Sequence, residues 1–217
     1  MKKIIAVFAH PDDEALGPAG TLAKFADTNH VVSIICVTNG DAAGKTNLEK
    51  ETIGEIRKAE LQNSAKILGI KEVFFLEYPD GELRNNIYHE LAGQIQEIVE
   101  RIRPDILLTF EPRGVSGHID HMAVSMITSF IYCKLSFVKK LMYYCLGESR
   151  QQLKDYFIYF PPCYKKEDVD ETIDVTEYWD IKVQAMHAHQ SQIEDVKRVL
   201  DQTRHLPKEE CFMTLEK

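Results

Sequence analysis

Three features of the sequence predict an α/β fold, a three-layer α/β/α sandwich built on a Rossmann-like, mostly parallel sheet. Short apolar runs alternate with longer helix-patterned segments, the order that feeds parallel strands through crossover helices. The runs at 4–9 and 106–110 are near-continuously apolar rather than alternating, as strands covered on both faces must be. Polar loops, several with Gly or Pro, follow the strands where such sheets bind ligands.

The elements follow in order. Ile4-Ile5-Ala6-Val7-Phe8-Ala9 reads as a buried strand, ended by His10-Pro11-Asp12-Asp13-Glu14, whose ionisable side chains cannot continue into a core. Leu16, Ala19, Leu22, Ala23, Phe25 and Ala26 recur at helical spacing across 17–29, closed by Asn29-His30. A second strand is expected at 31–37, a polar loop at 38–47, and a long helix at 48–68 capped by Gly69. Residues 73–76 form a third strand, followed by the turn Pro79-Asp80-Gly81. A helix at 87–103 stops at Pro104, and 106–110 is a fourth strand. The loop 111–118 leads to a helix at 120–137 and a fifth strand at 141–146. Beyond it, strands are expected at 156–160 and 169–175, and one or two helices within 177–201. The loops 10–14, 38–47, 79–81 and 111–121 should converge at one edge of the sheet.

Composition narrows the function. No linker, repeat or low-complexity tract divides the 217 residues, so a single domain over 1–217 is expected. Twenty-six basic against 34 acidic residues give a net charge of −8, which disfavours nucleic-acid or anionic-membrane binding and points to a small, uncharged or weakly charged substrate. No apolar stretch is long enough to span a bilayer. Carboxylates at 12–14 interrupt the apolar start where a secretory signal would continue, so a cytoplasmic location is expected. The five cysteines are widely spaced without a C-x-x-C pair, which argues against a disulfide framework and a cysteine zinc site.

The chemistry is divided between two loops. His10 and Asp13 are three residues apart around a turn, and His118 and His121 are three apart where a loop enters a helix. Two imidazoles and one carboxylate, with a fourth position left for water, are what a catalytic zinc needs; magnesium and calcium prefer all-oxygen shells.

Ala9-His10-Pro11-Asp12-Asp13-Glu14 with Gly117-His118-Ile119-Asp120-His121 resembles the signatures of the PIG-L/LmbE family of zinc-dependent de-N-acetylases. The resemblance extends through Thr38-Asn39-Gly40, Arg57-Lys58-Ala59-Glu60, Tyr78-Pro79-Asp80-Gly81, Arg103-Pro104-Asp105 and His189-Gln190-Ser191-Gln192. It implies one zinc ion per chain held by His10, Asp13 and His121, with Asp12 as general base. His118 becomes the electrophilic or acid partner and Asp120 its orienter, while Arg57 and Asp80 lie near the sugar hydroxyls. The implied substrate is a small N-acetylglucosamine-type sugar or conjugate; assembly into a homo-oligomer is left open. Two positions depart from the family pattern. Ile119 replaces a proline without removing a functional atom, and Ser116 stands where some relatives carry a tyrosine that helps stabilise an oxyanion. The residues alone also admit a two-metal phosphoesterase using Asp12, Asp13, Asp120 and the histidines. A dinucleotide-binding module is disfavoured, because carboxylates at 12–14 replace a glycine-rich loop and would repel a pyrophosphate.

Overall fold

The computed structural model describes residues 1–42, 49–150 and 158–217. The strands are β1 Lys3–Phe8, β2 Val31–Thr38, β3 Glu72–Tyr78, β4 Ile106–Phe110, β5 Lys140–Cys145, β6 Glu171–Asp174 and β7 Glu209–Glu216. The helices are α1 Asp13–Leu16, α2 Ala19–Asp27, α3 Lys50–Ile67, α4 Tyr88–Ile102, α5 Gly114–Gly117, α6 Ile119–Lys134, α7 Trp179–Ala188 and α8 Ile193–Thr203. They form one seven-stranded sheet in the order β3-β2-β1-β4-β5-β7-β6. The first five strands are parallel; β7 runs antiparallel to both β5 and β6.

Alternate residues of β1 explain the layers. Ile5 and Val7 pack with Leu91, Ile95 and Val99 of α4 and Val124, Ile127 and Ile131 of α6, on one face. Ile4, Ala6 and Phe8 pack on the other, against Leu22 of α2. Outside α2, Ala185 and Met186 of α7 and Val196 of α8 bury small residues such as Ala15, Ala19 and Ala23. Among the described residues, no helix is long and apolar enough to cross a membrane.

Several boundaries have visible causes. Gly69, at φ 73°, closes α3, and the Ile70 N–H donates back to the Ala65 carbonyl. Arg103, at φ 54°, ends α4 before Pro104. The helix expected over 17–29 is α2, which begins at Ala19 after Pro18; the short α1 before Gly17 was not expected. Part of the expected strand 156–160 lies outside the described residues, and the described part, 158–160, is not a strand. The strand β7 has no counterpart in the sequence reading. Its Phe212 and Met213 point to opposite faces, so its residues pack on both sides of the sheet and show no simple alternation.

Candidate active site

The strand order fixes where the loops meet. The chain passes from β1 outward to β2 and β3, then returns to place β4 on the other side of β1. A crevice therefore opens between the carboxyl ends of β1 and β4. The β1 loop delivers His10 to Asp13, and the loop after β4 delivers His118 and His121. A cavity of about 490 Å³ lies there, lined by His10, Asp12, Asp13, His118 and His121 among others.

Four atoms of three residues face one another inside it. His10 Nδ1 lies 3.0 Å from His121 Nε2 and 3.7 Å from an Asp13 oxygen, and His121 Nε2 lies 3.1 Å from the other Asp13 oxygen. The outer nitrogen of each ring is held by a partner that can only accept. His10 Nε2 meets Asp80 at 2.9 Å and Asp120 at 3.2 Å, and His121 Nδ1 meets the Gly114 carbonyl at 3.0 Å. In the neutral rings, protons placed by those partners would leave the inner nitrogens as lone pairs beside a carboxylate. Zinc bonds of about 2.0–2.2 Å imply ligand-to-ligand separations of roughly 3.3–3.5 Å in a tetrahedron. The donor set and its spacing therefore fit zinc.

The same charges govern protonation. Burial disfavours charge on His10, but its hydrogen bonds to Asp120 and Asp80 and the charge of Asp13 outweigh it, raising its pKa to about 10. A proton on His10 would meet the need that a cation meets in this cluster. Burial also opposes ionisation of Asp13, yet His121, His10 and the backbone hold it well below the usual carboxylate range. Its Oδ2 accepts the N–H groups of Ala9 and His10, at 3.0 and 2.8 Å.

Asp12 sits apart from this trio. Its φ of 125° is a conformation non-glycine residues avoid, at a cost of about 1–3 kcal/mol. It occupies the N-cap position of α1 without a side-chain cap bond. Its carboxylate instead lies 3.0 Å from Arg57, whose guanidinium also donates to the carbonyls of Pro11 and Gly40 at 2.5 and 2.8 Å. Burial raises the Asp12 pKa to about 6, with Arg57 opposing the shift and Asp13 adding to it.

His118 caps α6, its Nδ1 accepting the Asp120 N–H at 3.2 Å. Burial, then the charges of His10 and His121, lower its pKa to about 4. A neutral ring accepting at Nδ1 carries its proton at Nε2 and is a hydrogen-bond donor there. Asp120 does not orient His118 through its carboxylate. Its oxygens accept the N–H groups of Gly81 and Leu83, at 2.8 and 3.2 Å, and contact His10. The reason is geometric: the β3 loop lies over the start of α6 and supplies those donors. Asp80 and Arg57 both line the cavity, but each is already engaged, Asp80 with His10 and Arg57 with Asp12. Ser116 lines it too.

Among the described residues, two groupings have three ligand atoms close enough to hold an ion: His10 with His118 and His121, and His10 with Asp80 and Asp120. Both share His10, and Asp120 already accepts two backbone N–H groups, so a two-metal cage is not favoured. One supporting residue escapes a reading of the sequence. Glu111, at the end of β4, accepts from Arg113 N–H, Val115 N–H and the Tyr164 hydroxyl at 2.8, 3.1 and 2.8 Å, fixing the loop that carries the histidines. Its position directly after a buried strand, like that of His10, was the available signal.

Residues 5–132 match the PIG-L family, GlcNAc-PI de-N-acetylase. The probable N-acetyl-alpha-D-glucosaminyl L-malate deacetylase 2 of Bacillus anthracis is 30% identical over 195 residues, 88% of this chain and 81% of that protein. N,N'-diacetylchitobiose deacetylase from Pyrococcus horikoshii has a similar fold, with a TM-score of 0.76 at 20% identity over 99% of this chain and 84% of that one. So does GalB, the 4-carboxy-2-hydroxymuconate hydratase from Pseudomonas putida KT2440, with a TM-score of 0.76 at 17% identity over 100% and 97%. These two likenesses establish the fold alone, and their different reactions leave function to the site. The family match covers more than half of the chain and includes His10, Asp12, Asp13, His118 and His121; the chain belongs to the PIG-L, GlcNAc-PI de-N-acetylase, family.

Proposed function

We propose that residues 1–217 act as one domain that hydrolyses the N-acetyl group of an N-acetylglucosamine-type sugar or conjugate, using one zinc ion per chain. The observation that carries this reading is the trio His10, Asp13 and His121, with two ring nitrogens and a carboxylate turned toward one another and Asp12 held beside them by Arg57. Zinc, when bound, supplies the Lewis acidity that an unreactive amide and neutral water both require. Asp12 takes the proton of the attacking water and can then return it to the departing amine. His118, neutral and donating from Nε2, stabilises the charge that develops on the carbonyl oxygen. Asp80 and Asp120 hold the His10 ring in the tautomer that binds metal. Arg57 and Asp80 line the cavity and, while holding Asp12 and His10, are the residues assigned to the sugar hydroxyls. The names of the relatives support an acetamido sugar, free or conjugated, as the substrate class.

Metal analysis of the purified protein should find close to one zinc per chain. Deacetylation should appear in a screen of N-acetylglucosamine, its malate and inositol conjugates, and diacetylchitobiose. Absence of zinc together with no activity on adding it overturns the reading. Asp12→Ala should keep the metal while slowing turnover by about 10² to 10⁴. If Asp12→Ala loses metal and Asp13→Ala keeps it, the two roles are exchanged.

A further inference from the structure

Two buried ionisable residues behind the crevice have no part in the chemistry above. Glu14 is 1% exposed and His189 is fully buried. Neither lines the cavity. Glu14 Oε2 accepts the backbone N–H of Asp12 at 3.2 Å. Its Oε1 accepts from the Ser64 hydroxyl at 2.6 Å and meets His189 Nε2 at 2.7 Å. His189 Nδ1 is buried with no partner, so Nε2 is the nitrogen whose proton is used. The ring is held by its surroundings: Ser191, two residues on, donates its N–H and hydroxyl to Glu60 of α3 at 2.7 and 2.6 Å. Ser64 belongs to the same helix, one turn beyond Glu60.

We propose that Glu14 and His189 are positioning residues for Asp12, with His189 fixing Glu14 and Glu14 fixing the strained Asp12 backbone. This rests on the reading of Asp12 as the proton acceptor. The Asp12 side chain is gripped at its carboxylate by Arg57, but its direction is set by a backbone at φ 125°. That backbone would relax without support. The Asp12 carbonyl already accepts from Ala15 and Leu16 at the start of α1. The N–H is the remaining handle on the peptide unit before it, and Glu14 takes it. The same carboxylate reaches His189, which is contributed from 175 residues later in the chain. His189 therefore acts on the reaction from outside the cavity.

The test is a double-mutant comparison with N-acetylglucosaminyl malate as the probe. In the wild-type background, His189→Leu should lower kcat by about ten- to a hundredfold, with KM within twofold and zinc content unchanged. In an Asp12→Asn background, the same change should alter the residual kcat by less than about twofold, because Asp12 is the only route by which His189 acts. His189→Gln, whose amide can still donate to Glu14, should recover most of the loss. An Asp12 amide ¹H–¹⁵N resonance that shifts in His189→Leu and returns in His189→Gln reports the contact without activity. Equal losses in both backgrounds, a change confined to KM, or loss of zinc overturns the proposal. If His189→Leu does not fold, Ser64→Ala removes a donor to the same oxygen and carries the same comparison. Should Asp12→Asn itself leave kcat unchanged, the reading of Asp12 has failed; an Asp12-dependent kcat that ignores His189 fails this proposal alone.

Discussion

At the proposed metal site, the partners outside the rings decide what the rings can hold. His10 faces two carboxylates through Nε2, and their pull raises its pKa to about 10 in the metal-free protein. At neutral pH the ring is therefore charged, while Asp13 is ionised throughout the working range. A zinc ion needs His10 neutral, so its uptake expels that proton. The sign follows: affinity rises with pH, by about tenfold per unit while His10 remains protonated in the apo state, and levels off above its pKa of about 10. Calorimetry of zinc binding to chelator-stripped protein at pH 8, in two buffers of different ionisation enthalpy, should report release of about one proton attributable to His10. A His10→Asn variant should release none from this position, and equal release by both proteins refutes the assignment. The inner atoms of this site were legible, since His10, Asp13, His118 and His121 stand in two short clusters after apolar runs. Their supports were less so. Nothing local to Asp120 shows that its oxygens will accept from Gly81 and Leu83, residues on another loop.

Among the elements, α6 shows how a helix start serves the site. His118 is its N-cap, at φ −67° and ψ 128°, and Ile119 is the first helical residue, 69% exposed. Proline is favoured at a first helical position, where no intrahelical hydrogen bond is lost, and the extended conformation of His118 suits a residue preceding proline. Ile119→Pro should therefore stabilise the protein by about 0.4–1 kcal/mol through the unfolded chain, with zinc affinity unchanged. A higher urea midpoint at constant slope would bear this out; a lower one would mean that the loop needs the freedom isoleucine gives it. The strand-helix alternation through β5 was readable because the apolar runs are short and distinct and α2, α3 and α4 end at an Asn, Gly or Pro signal, whereas α6, which ends at Lys134 without one, was expected to run to 137. The short α5 was not, because its shape comes from Glu111 and from Val115 at φ 60°, a conformation no β-branched residue seeks.

Across the whole molecule, the last third of the chain is bound to the first by buried polar contacts that composition cannot announce. Pro18 precedes α2 and supplies no side-chain cap. That service comes from Glu210 on β7, which accepts the N–H groups of Gly20 and Thr21 at 3.0 and 2.8 Å, an anion at a helix N-terminus. Lys182 of α7, fully buried, donates to the same carboxylate at 2.6 Å and to the Gly17 carbonyl at 2.5 Å. Sheet, inner helix and outer helix thus meet at one ion pair, joining residues up to 190 positions apart. That distance in sequence is why β7 and Lys182 carry no sequence signal. Burial, the largest influence, lowers the Lys182 pKa, and Glu210 opposes the shift. Removing one partner leaves a buried charge whose own desolvation is no longer compensated. Lys182→Met should therefore cost about 3–5 kcal/mol in urea unfolding. Glu210→Gln in that background removes the stranded charge while keeping one acceptor for the start of α2. The double variant should accordingly be more stable than Lys182→Met alone. If the two losses simply add, the pair is not the joint that holds these layers together, and the backbone contacts of β7 with β5 must carry that role instead.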